Sequence, residues 1–588
     1  MNILGIHMGH NSTVSYMKNN KLVSTISEEK FANIKNCGGF PKRAMDYTFA
    51  NFIENPDDID MVVIAGLYFG KNSVVPRDDS QEIADAREPF IKDIIYRLLN
   101  IGDHRIPNFY KVHLKIVEHM HKSKIKNQEV IKNHLNAAYK IRPSTVKFMH
   151  HHLAHAYAPI GFYNLHNAGK ILVFTQDGSG DTLSGSIGIY ENGKYTLVDT
   201  TPFINSMGDI YSSVARYLGM KINEHEYKVM GMAPYPSPKH AMNLYDNKFK
   251  ELVDVKDGKI IMKYKTQIPY IYSEYVLKER LYFERFDNIA FAVQKLLEEK
   301  ICQYIKENME KYKIYKIATG GGLFMNVKMN KRIQELPNVE KCYFMPSSCD
   351  ESLSTGAVFY GLESSGQFGK SDETIYLGKE YSDEEIEQYI SSNNLDKEFE
   401  ITSSKNPEKE VAEMLSCGKI VGRFVGRGEW GARSLGNRAI LADPSKLESI
   451  EIINNAIKSR DFWMPFACSV LDSKFDEYAE SDGKSYPNYM ITSFDSTVEG
   501  KKCMKAGLHR KDYTMRPNVV TSEHNPDYHN LLKCFNEKTG LGGVLNTSLN
   551  ISSYPLIGFL PELFFTMKNS DLNISQCGNF IIRKRCTK

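Results

Sequence analysis

One pattern occurs twice along this chain. Asn2 to Ile6 reads as a strand, followed by a Gly-His-Asn-Ser turn, a second strand Thr13 to Met17, a polar turn and a third strand Leu22 to Ile26. Much later, Lys170 to Thr175 reads as a strand, Gln176 to Asp181 as a Gly/Asp/Ser turn, and Thr182 to Tyr190 as the returning strand. Two such units with small polar turns predict an α/β, two-lobed, duplicated nucleotide-binding fold whose turns hold phosphate. A third glycine cluster, Gly320, Gly321 and Gly322, follows the strand Ile314 to Ile317 and precedes a helical stretch Asn326 to Gln334. Glycines there let backbone approach a ligand and present amides at a helix start, although any single Gly-rich turn is equally an ordinary turn.

The chain has 588 residues, too many for one core, so two to four units are expected at about 100–200 residues each. The run SSGQFGKSDE, Ser364 to Glu373, is polar and Ser/Gly-rich, as linkers are. It divides the sequence into residues 1–366 and 375–588. After it, SDEEIEQYI, Ser382 to Ile390, shows a serine N-cap, an acidic first turn and helical spacing. Between the two early units, Gly70 to Lys147 reads as a solvated helical insertion, or else as a segment with a role in acceptor binding, with helices at Phe90 to Leu99 and Val112 to Met120.

Composition narrows the function classes. Lys plus Arg is 74 against 71 for Asp plus Glu, so nothing indicates a nucleic-acid or anionic-membrane binder, although a nucleotide acceptor stays open. No stretch approaches about 18 uninterrupted apolar residues, so no membrane span is expected. The start MNILGIHMGHNS has no signal-peptide pattern. Ten scattered cysteines without a CxxC lead to the expectation of a reduced, cytoplasmic protein.

Two clusters carry chemistry. In HHHLAHAYA, after the strand Val146 to Met149, His151 and His155 are i and i+4 on an alanine-rich helix. Both imidazoles project from one face and make half of a divalent-metal site, or else a core-satisfied cluster. In the C-terminal half, after the strand Lys419 to Val425, GRGEWGARSLGNRAILADP carries Arg427, Arg433, Asn437 and Arg438. Lys458 and Arg460 follow, then Arg516, then LNTSLN from Leu545 to Asn550. Arginine forks suit bidentate contacts with phosphate or carboxylate, and interleaved glycines suggest a small-anion pocket. There is little aromatic interleaving of the kind that stacks the bases of a strand. Taken singly, each arginine could equally sit in a surface ion pair.

Along nearly its whole length the chain resembles the O-carbamoyltransferases, the group that includes nodulation-factor, cephamycin and tobramycin carbamoyltransferases. The matching pieces are GHNSTVSYMKNNKLVSTISEEKF, HHLAHA, TQDGSGDTLSG, EYKVMGMAPY, IATGGGLFMNVKMN, SSCDESLSTGA, GRGEWGARSLGNRAILADP and LNTSLN. The resemblance implies an N-terminal duplicated actin/sugar-kinase/heat-shock-chaperone-type ATPase fold that carbamoylates the acceptor. It also implies a C-terminal YrdC-like α/β domain that makes carbamoyladenylate, with the last residues packing back on the first domain.

By the same resemblance, carbamoyl phosphate yields carbamate, which attacks the ATP α-phosphate to give carbamoyladenylate and pyrophosphate. The first domain then passes the carbamoyl group to an acceptor hydroxyl. Arg433, Lys458, Arg516 and Ser548 are assigned to carbamoyl phosphate or ATP, with Arg427, Asn437, Arg460 and Asn546 as neighbours. His151, His155 and Asp350 are assigned to a metal, with Fe(II) favoured over Mn or Zn. Asp177 ligates it or positions it through water, and Asp177, Lys228, Gly320, Gly321 and Asn326 line the nucleotide. His10, on the first hairpin turn, is the general base for the acceptor hydroxyl, or else stabilises the turn. Mg2+ accompanying ATP and a homodimeric assembly complete the expectations. A tRNA threonylcarbamoyl-type enzyme and a non-catalytic nucleotide-binding module are the alternative readings. The chain departs from the family's usual Gly-Pro-Arg at Gly431-Ala432-Arg433. It also has Ser553-Tyr554-Pro555 where Gly-Glu-Pro is common, which removes a carboxylate.

Overall fold

The computed structural model describes residues 1–69, 125, 127–263, 277–278 and 280–585. The helices expected at Phe90 to Leu99 and Val112 to Met120 lie outside the described residues. The chain divides into two compact units. The first comprises Met1–Glu28 and Asn36–Glu373, the second Glu29–Lys35 and Thr374–Lys588.

The repeated pattern becomes two five-stranded sheets in the first unit. The first contains β1 (Ile3–His7), β2 (Thr13–Lys18), β3 (Lys21–Ser27), β4 (Met61–Ala65) and β5 (Val146–Met149), in the order β3-β2-β1-β4-β5. The second contains β6 (Ile171–Gly180), β7 (Leu183–Glu191) and β8 (Lys194–Pro202). After a separate hairpin, β9 (Val253–Lys256) with β10 (Lys259–Met262), it is completed by β11 (Lys316–Gly320) and β12 (Lys341–Phe344). Its order is β12-β11-β6-β7-β8, the first order read in reverse. In each sheet an antiparallel three-strand meander is extended from its first strand by two parallel strands. Sequential neighbours and the need for crossover helices make such a duplicated α/β unit a natural outcome of the pattern. All five residues of β1 and of β4 are buried, as strands covered on both faces require.

The second hairpin differs from the expectation in a way that matters for the site. Strand β6 runs on through Gly180, with the β6–β7 register slipping between Gln176 and Gly180. The turn is only Asp181-Thr182, both at positive φ (49° and 74°), as a two-residue turn matched to strand twist demands. Asp177 therefore sits on an irregular stretch of strand rather than on a turn.

Two helices meet at backbone distance. The helix His151–Phe162 packs against Leu353–Glu363, where a Cβ on Gly356 would come 1.9 Å from the Ala154 carbonyl oxygen. A Cβ on Gly161 would meet the Phe359 ring at 2.0 Å. These glycines permit the close crossing, and the crossing brings the turn Asp350–Ser352, just ahead of the second helix, to the histidine helix.

The second unit is a mixed eight-stranded sheet. Its strands are β13 (Phe399–Ser403), β14 (Val421–Phe424), β15 (Arg438–Ala442), β16 (Ala467–Leu471), β20 (Pro517–Val520), β21 (Gly543–Ser548), β22 (Ile574–Cys577) and β23 (Phe580–Lys584). The order is β13-β23-β22-β14-β15-β21-β16-β20. Short strands β17 (Ala479–Glu480), β18 (Phe494–Ser496) and β19 (Thr514–Met515) form a separate small sheet. Strand alternation sends Ala439 and Leu441 to a core with the helices Pro407–Ser416 and Pro526–Thr539. Ile440 and Ala442 point to the opposite core, with Ile386, Ile390 and the helix Leu560–Lys568. Ser382 and Glu385 form the reciprocal cap that starts the helix Asp383–Ser392.

Two boundaries differ from the sequence reading. The last described residues pair inside this sheet as β23, between β13 and β22. The short segment Glu29–Lys35 clusters with the second unit although only Glu28 separates it from β3 in the chain. Its Lys30 is buried, with Nζ donating to the Leu556 carbonyl at 3.0 Å.

Candidate metal centre and anion pocket

The helix His151–Phe162 starts sharply. His150 is its N-cap, and its Nδ1 accepts from the His152 amide at 3.1 Å. The His151 amide donates to Asp181 Oδ2 at 2.8 Å, and the Leu67 amide donates to the same carboxylate at 2.9 and 3.0 Å. A carboxylate at a helix N-terminus satisfies an orphan amide and complements the helix dipole. Asp181 so ties the hairpin turn, the chain following β4 and the helix together at one point. His152 is a packing residue: Nε2–H donates to the Leu183 carbonyl at 3.1 Å, and Nδ1 accepts from Thr175 Oγ1 at 2.9 Å. Burial first, then the neighbouring histidines, push its pKa well down, so it is neutral.

One turn apart, His151 and His155 face two carboxylates. His151 Nε2 lies 3.3 Å from Asp177 Oδ2 and 3.7 Å from Asp350 Oδ1. His155 Nε2 lies 3.7 Å from Asp177 Oδ2 and 3.4 Å from Asp350 Oδ1. One ligand atom from each of the four residues falls within 4.8 Å of every other. Most of these separations are long for a hydrogen bond. Ligand atoms each about 2 Å from a shared ion lie roughly 3–3.5 Å apart, so the spacing fits a divalent metal. Fully buried His155 makes the same point, since neither ring nitrogen has a hydrogen-bond partner among the described residues. Burial alone would lower its pKa; Asp177 and Asp350 outweigh that and hold it up at about 9. Burial would likewise raise Asp177, and His151 and His155 hold it well below the usual carboxylate range. Without an ion the cluster balances imidazolium against carboxylate, and an ion would displace those protons.

The glycine cluster frames this centre. Gly320 ends β11, where a Cβ would come 2.2 Å from the His155 carbonyl oxygen. Gly321 has φ 102° and would meet the Gln176 carbonyl at 2.2 Å. The Gly322 amide donates to Asp177 Oδ1 at 3.2 Å. The close approach these glycines allow is to the backbone of His155 and Gln176. Asn326 caps the helix Val327–Gln334, its Oδ1 accepting from the Met329 amide, and its Nδ2 donates to Gln294 Oε1 at 2.8 Å. Lys228 is half-buried on the helix Glu226–Met232.

His10 lies on the turn between β1 and β2. Burial lowers its pKa, opposed by Asp350 and Asp177. Its carbonyl accepts from His7 Nε2 at 2.9 Å, and that nitrogen stands 3.6 Å from Asp350 Oδ2. Next to them, Asn11 donates to Glu351 at 3.0 Å, and Glu351 also takes the Ser347 hydroxyl. Asp181, His7 and Glu351 were not singled out in the sequence reading. Each joins segments far apart in the chain, and no local pattern signals that.

In the second unit the basic residues separate into two groups. Arg427 donates to the carbonyls of Gly378 (3.2 Å) and Leu377 (2.8 Å). Asn437 donates to the Arg427 carbonyl at 2.9 Å and accepts from Arg423 and Asn525, both at 2.9 Å. Buried Arg438 binds four backbone carbonyls, and Glu429 Oε1 collects the amides of Leu435, Asn437 and Arg438. Asn546 donates to Ser469 Oγ at 2.8 Å and to the Ser434 carbonyl at 3.3 Å. These residues hold the GRGEWGARSLGNR loop in shape.

Arg433, Lys458, Arg460 and Arg516 form the other group. Lys458 is 2% exposed, and its Nζ reaches Ser548 Oγ (3.2 Å) and the Asn550 carbonyl (2.7 Å) and side chain (2.6 Å). Arg460 donates to Thr547 Oγ1 at 2.9 Å. Arg516 makes no hydrogen bond or ion pair among the described residues, and its Nε is buried. Burial lowers the Lys458 pKa well below its usual value, and Arg460 and Lys35 lower it further. Arg516 is depressed by burial, then by Arg433 and Arg460. The neighbouring charges that act on these two residues, Lys35, Arg433 and Arg460, are positive. Lys35, from the short N-terminal segment of this unit, is another residue the sequence reading did not single out. Packed like charges of this kind are costly unless an anion joins them. No described helix is long and apolar enough to cross a membrane.

Comparison with known proteins agrees with this division. The family model of the carbamoyltransferase N-terminus matches residues 2–359, and that of the carbamoyltransferase C-terminus matches residues 412–584. An uncharacterised protein of Methanocaldococcus jannaschii is 29% identical, covering 94% of this chain and 95% of its own. The nodulation protein NolNO of Sinorhizobium fredii is 25% identical over 98% of this chain and 79% of its own. The 3'-hydroxymethylcephem-O-carbamoyltransferase of Streptomyces clavuligerus is 26% identical over 49% of each chain. With family models matching along both halves, the chain belongs to the carbamoyltransferase family, enzymes that transfer a carbamoyl group.

Proposed function

We propose that this protein is an ATP-dependent O-carbamoyltransferase whose second unit is a YrdC-like domain making carbamoyladenylate from carbamoyl phosphate and ATP. Its first unit then passes the carbamoyl group to an acceptor hydroxyl on a small molecule, glycan or modified nucleoside. The observation that carries the reading is the cation group Arg433, Lys458, Arg460 and Arg516, in which Arg516 makes no hydrogen bond or ion pair among the described residues. Carbamoyl phosphate and ATP repel each other, and fixed cations in a site shielded from water offset that repulsion. Lys458 and Ser548, already 3.2 Å apart, would hold one oxyanion between a point charge and a hydroxyl. Arg433 and Arg516 would fork onto the other phosphates. Water first hydrolyses carbamoyl phosphate to carbamate and inorganic phosphate; a carbamate oxygen then attacks the α-phosphorus of ATP, the bond to pyrophosphate breaks, and the cations take up the charge on both.

In the first unit, His151, His155, Asp177 and Asp350 would hold a divalent metal, an N2O2 set for which Fe(II) is favoured and Mn or Zn also fit. When bound, it supplies a Lewis acid for the adenylate phosphate and the carbamoyl carbonyl. His10, kept neutral by burial, is the base that takes the acceptor's hydroxyl proton as that oxygen attacks the carbamoyl carbon and AMP leaves. Mass spectrometry of an acceptor panel incubated with ATP and carbamoyl phosphate tests the reading. The expected product gains one carbamoyl group only when both co-substrates are present. A panel that stays unmodified, together with no carbamoyl-phosphate-dependent exchange between ATP and pyrophosphate, rejects it.

A further inference from the structure

We propose that Phe462 and Trp463 form the platform on which the second unit stacks a purine base, an inference that rests on the ATP site proposed above. The segment leaving Lys458 makes an abrupt turn, with Ser459 in the left-handed region at φ 44°. Arg460 is then pinned twice: it donates to Thr547 Oγ1 at 2.9 Å, and its guanidinium lies 5.0 Å over the Phe466 ring. Phe466 is buried and leads directly into β16. The residues between these anchors are held at both ends, and they include both aromatics.

Phe462 is 67% exposed. A single exposed aromatic is ordinary on a protein surface. Three further features set this one apart. The Trp463 ring meets it edge-on at a centroid distance of 5.0 Å and an interplanar angle of 85°, which fixes the plane that Phe462 presents. The Trp463 indole N–H is buried without an acceptor among the described residues, a cost that apolar packing alone does not repay. Finally, Phe462 is two residues beyond Arg460, so their Cα atoms are at most about 7 Å apart. That is a span a nucleotide bridges between phosphate and base. A ring fixed in orientation beside a phosphate-binding cation is the arrangement by which a base is held through its π-face. It also supplies the one stacking position that the Arg/Gly-rich sequence lacks.

Isothermal titration calorimetry on the full chain tests this with two probes, ATP and tripolyphosphate, which share the phosphates but not the base. Binding that survives Arg516→Ala is assigned to other sites and subtracted. Wild type should bind ATP at least about ten-fold more tightly than tripolyphosphate. Phe462→Ala should weaken ATP by about ten- to a hundred-fold and leave tripolyphosphate unchanged. Phe462→Tyr, which keeps the ring, should restore ATP binding. The platform is overturned if Phe462→Ala leaves ATP binding intact, if it weakens both probes alike, or if wild type does not distinguish them. If wild type shows no Arg516-dependent binding of either probe, the ATP site itself is absent, and the proposed function falls together with the platform.

Discussion

Gly180 lies against the ring of His151: a Cβ built on Gly180 would come 2.2 Å from its imidazole carbons. The residue ends β6, three positions after Asp177, so the strand carrying one carboxylate of the proposed metal site touches the imidazole facing it. Gly180→Ala cannot be accommodated unless the ring or the strand moves. The expected result is a loss of about 1–3 kcal/mol of stability from overpacking and a weaker metal site. Thermal unfolding with and without added Fe(II) or Mn2+ measures both. A variant with wild-type metal affinity would show that His151 does not depend on this contact.

Asp181 acts on the same histidine from the other side, through its backbone. Asp181→Ala leaves the His151 and Leu67 amides without their shared acceptor. Loss of a charge-assisted cap costs about 1–3 kcal/mol. Because the helix start aims His151, metal affinity should fall about 10–100-fold, as it does when an outer partner of a ligand is removed. Asp181→Asn keeps an acceptor and should lie between the two. Metal titration of the three proteins gives the order.

Lys458 makes stability depend on pH in a direction that can be stated. Its folded pKa lies well below 10.5, so between the two values the unfolded chain binds more protons than the folded one. Stability from this group is therefore full above about 10.5 and falls as pH drops toward the folded pKa. The difference in unfolding free energy between wild type and Lys458→Met should grow in favour of wild type as pH rises from 7 to 10. Denaturant titrations at three pH values report the slope. Added tripolyphosphate should flatten it, because a bound oxyanion stabilises the ammonium.

How much of this was legible in the sequence depends on the distance over which each feature is decided. Asn326 before Val327–Gln334 and Ser382 before Asp383–Ser392 are caps set within four residues, and both helices begin where the sequence places them. His151 and His155 share a face because helix geometry makes i and i+4 neighbours. Their meeting with Asp177 and Asp350 depends on a bulged strand and on a helix crossing permitted by Gly161 and Gly356, which no window along the chain contains. Arg427 and Arg433 look alike in the sequence. Only the fold puts backbone carbonyls within reach of Arg427's fork and sets Arg433 beside Arg516. Glu29–Lys35 lies just after β3 in the chain yet clusters with the second unit, a tertiary choice without a local signal.

The departure at Ser553 has a physical consequence. Ser553 has φ 71°, a conformation glycine adopts without a Cβ clash and other residues adopt at about 1–2 kcal/mol. The left-handed turn therefore survives although the residue that suits it does not. Ser553→Gly should stabilise the protein by up to about 1 kcal/mol, after the extra freedom glycine gives the unfolded chain is deducted. Chemical denaturation of the variant checks it; a destabilised variant would mean that the serine side chain contributes more than the strain it causes.

Removing His155 separates the two chemistries. His155 is fully buried, and its Nε2 is within 3.7 Å of Asp177 and 3.4 Å of Asp350. His155→Ala deletes one of the four proposed ligands and leaves two carboxylates facing a single imidazole, too weak to retain a divalent ion at ordinary concentrations. The cations proposed to bind carbamoyl phosphate and ATP belong to the other unit and include none of these ligands. The variant should therefore lose metal and acceptor carbamoylation while still exchanging pyrophosphate into ATP in the presence of carbamoyl phosphate. Elemental analysis and both half-reactions are measured on one preparation, with circular dichroism to confirm the fold. Stoichiometric metal in the variant would remove His155 from the ligand set. Failure of both half-reactions in a folded protein would show that adenylate formation needs the metal centre, and the division of labour between the two units would have to be abandoned.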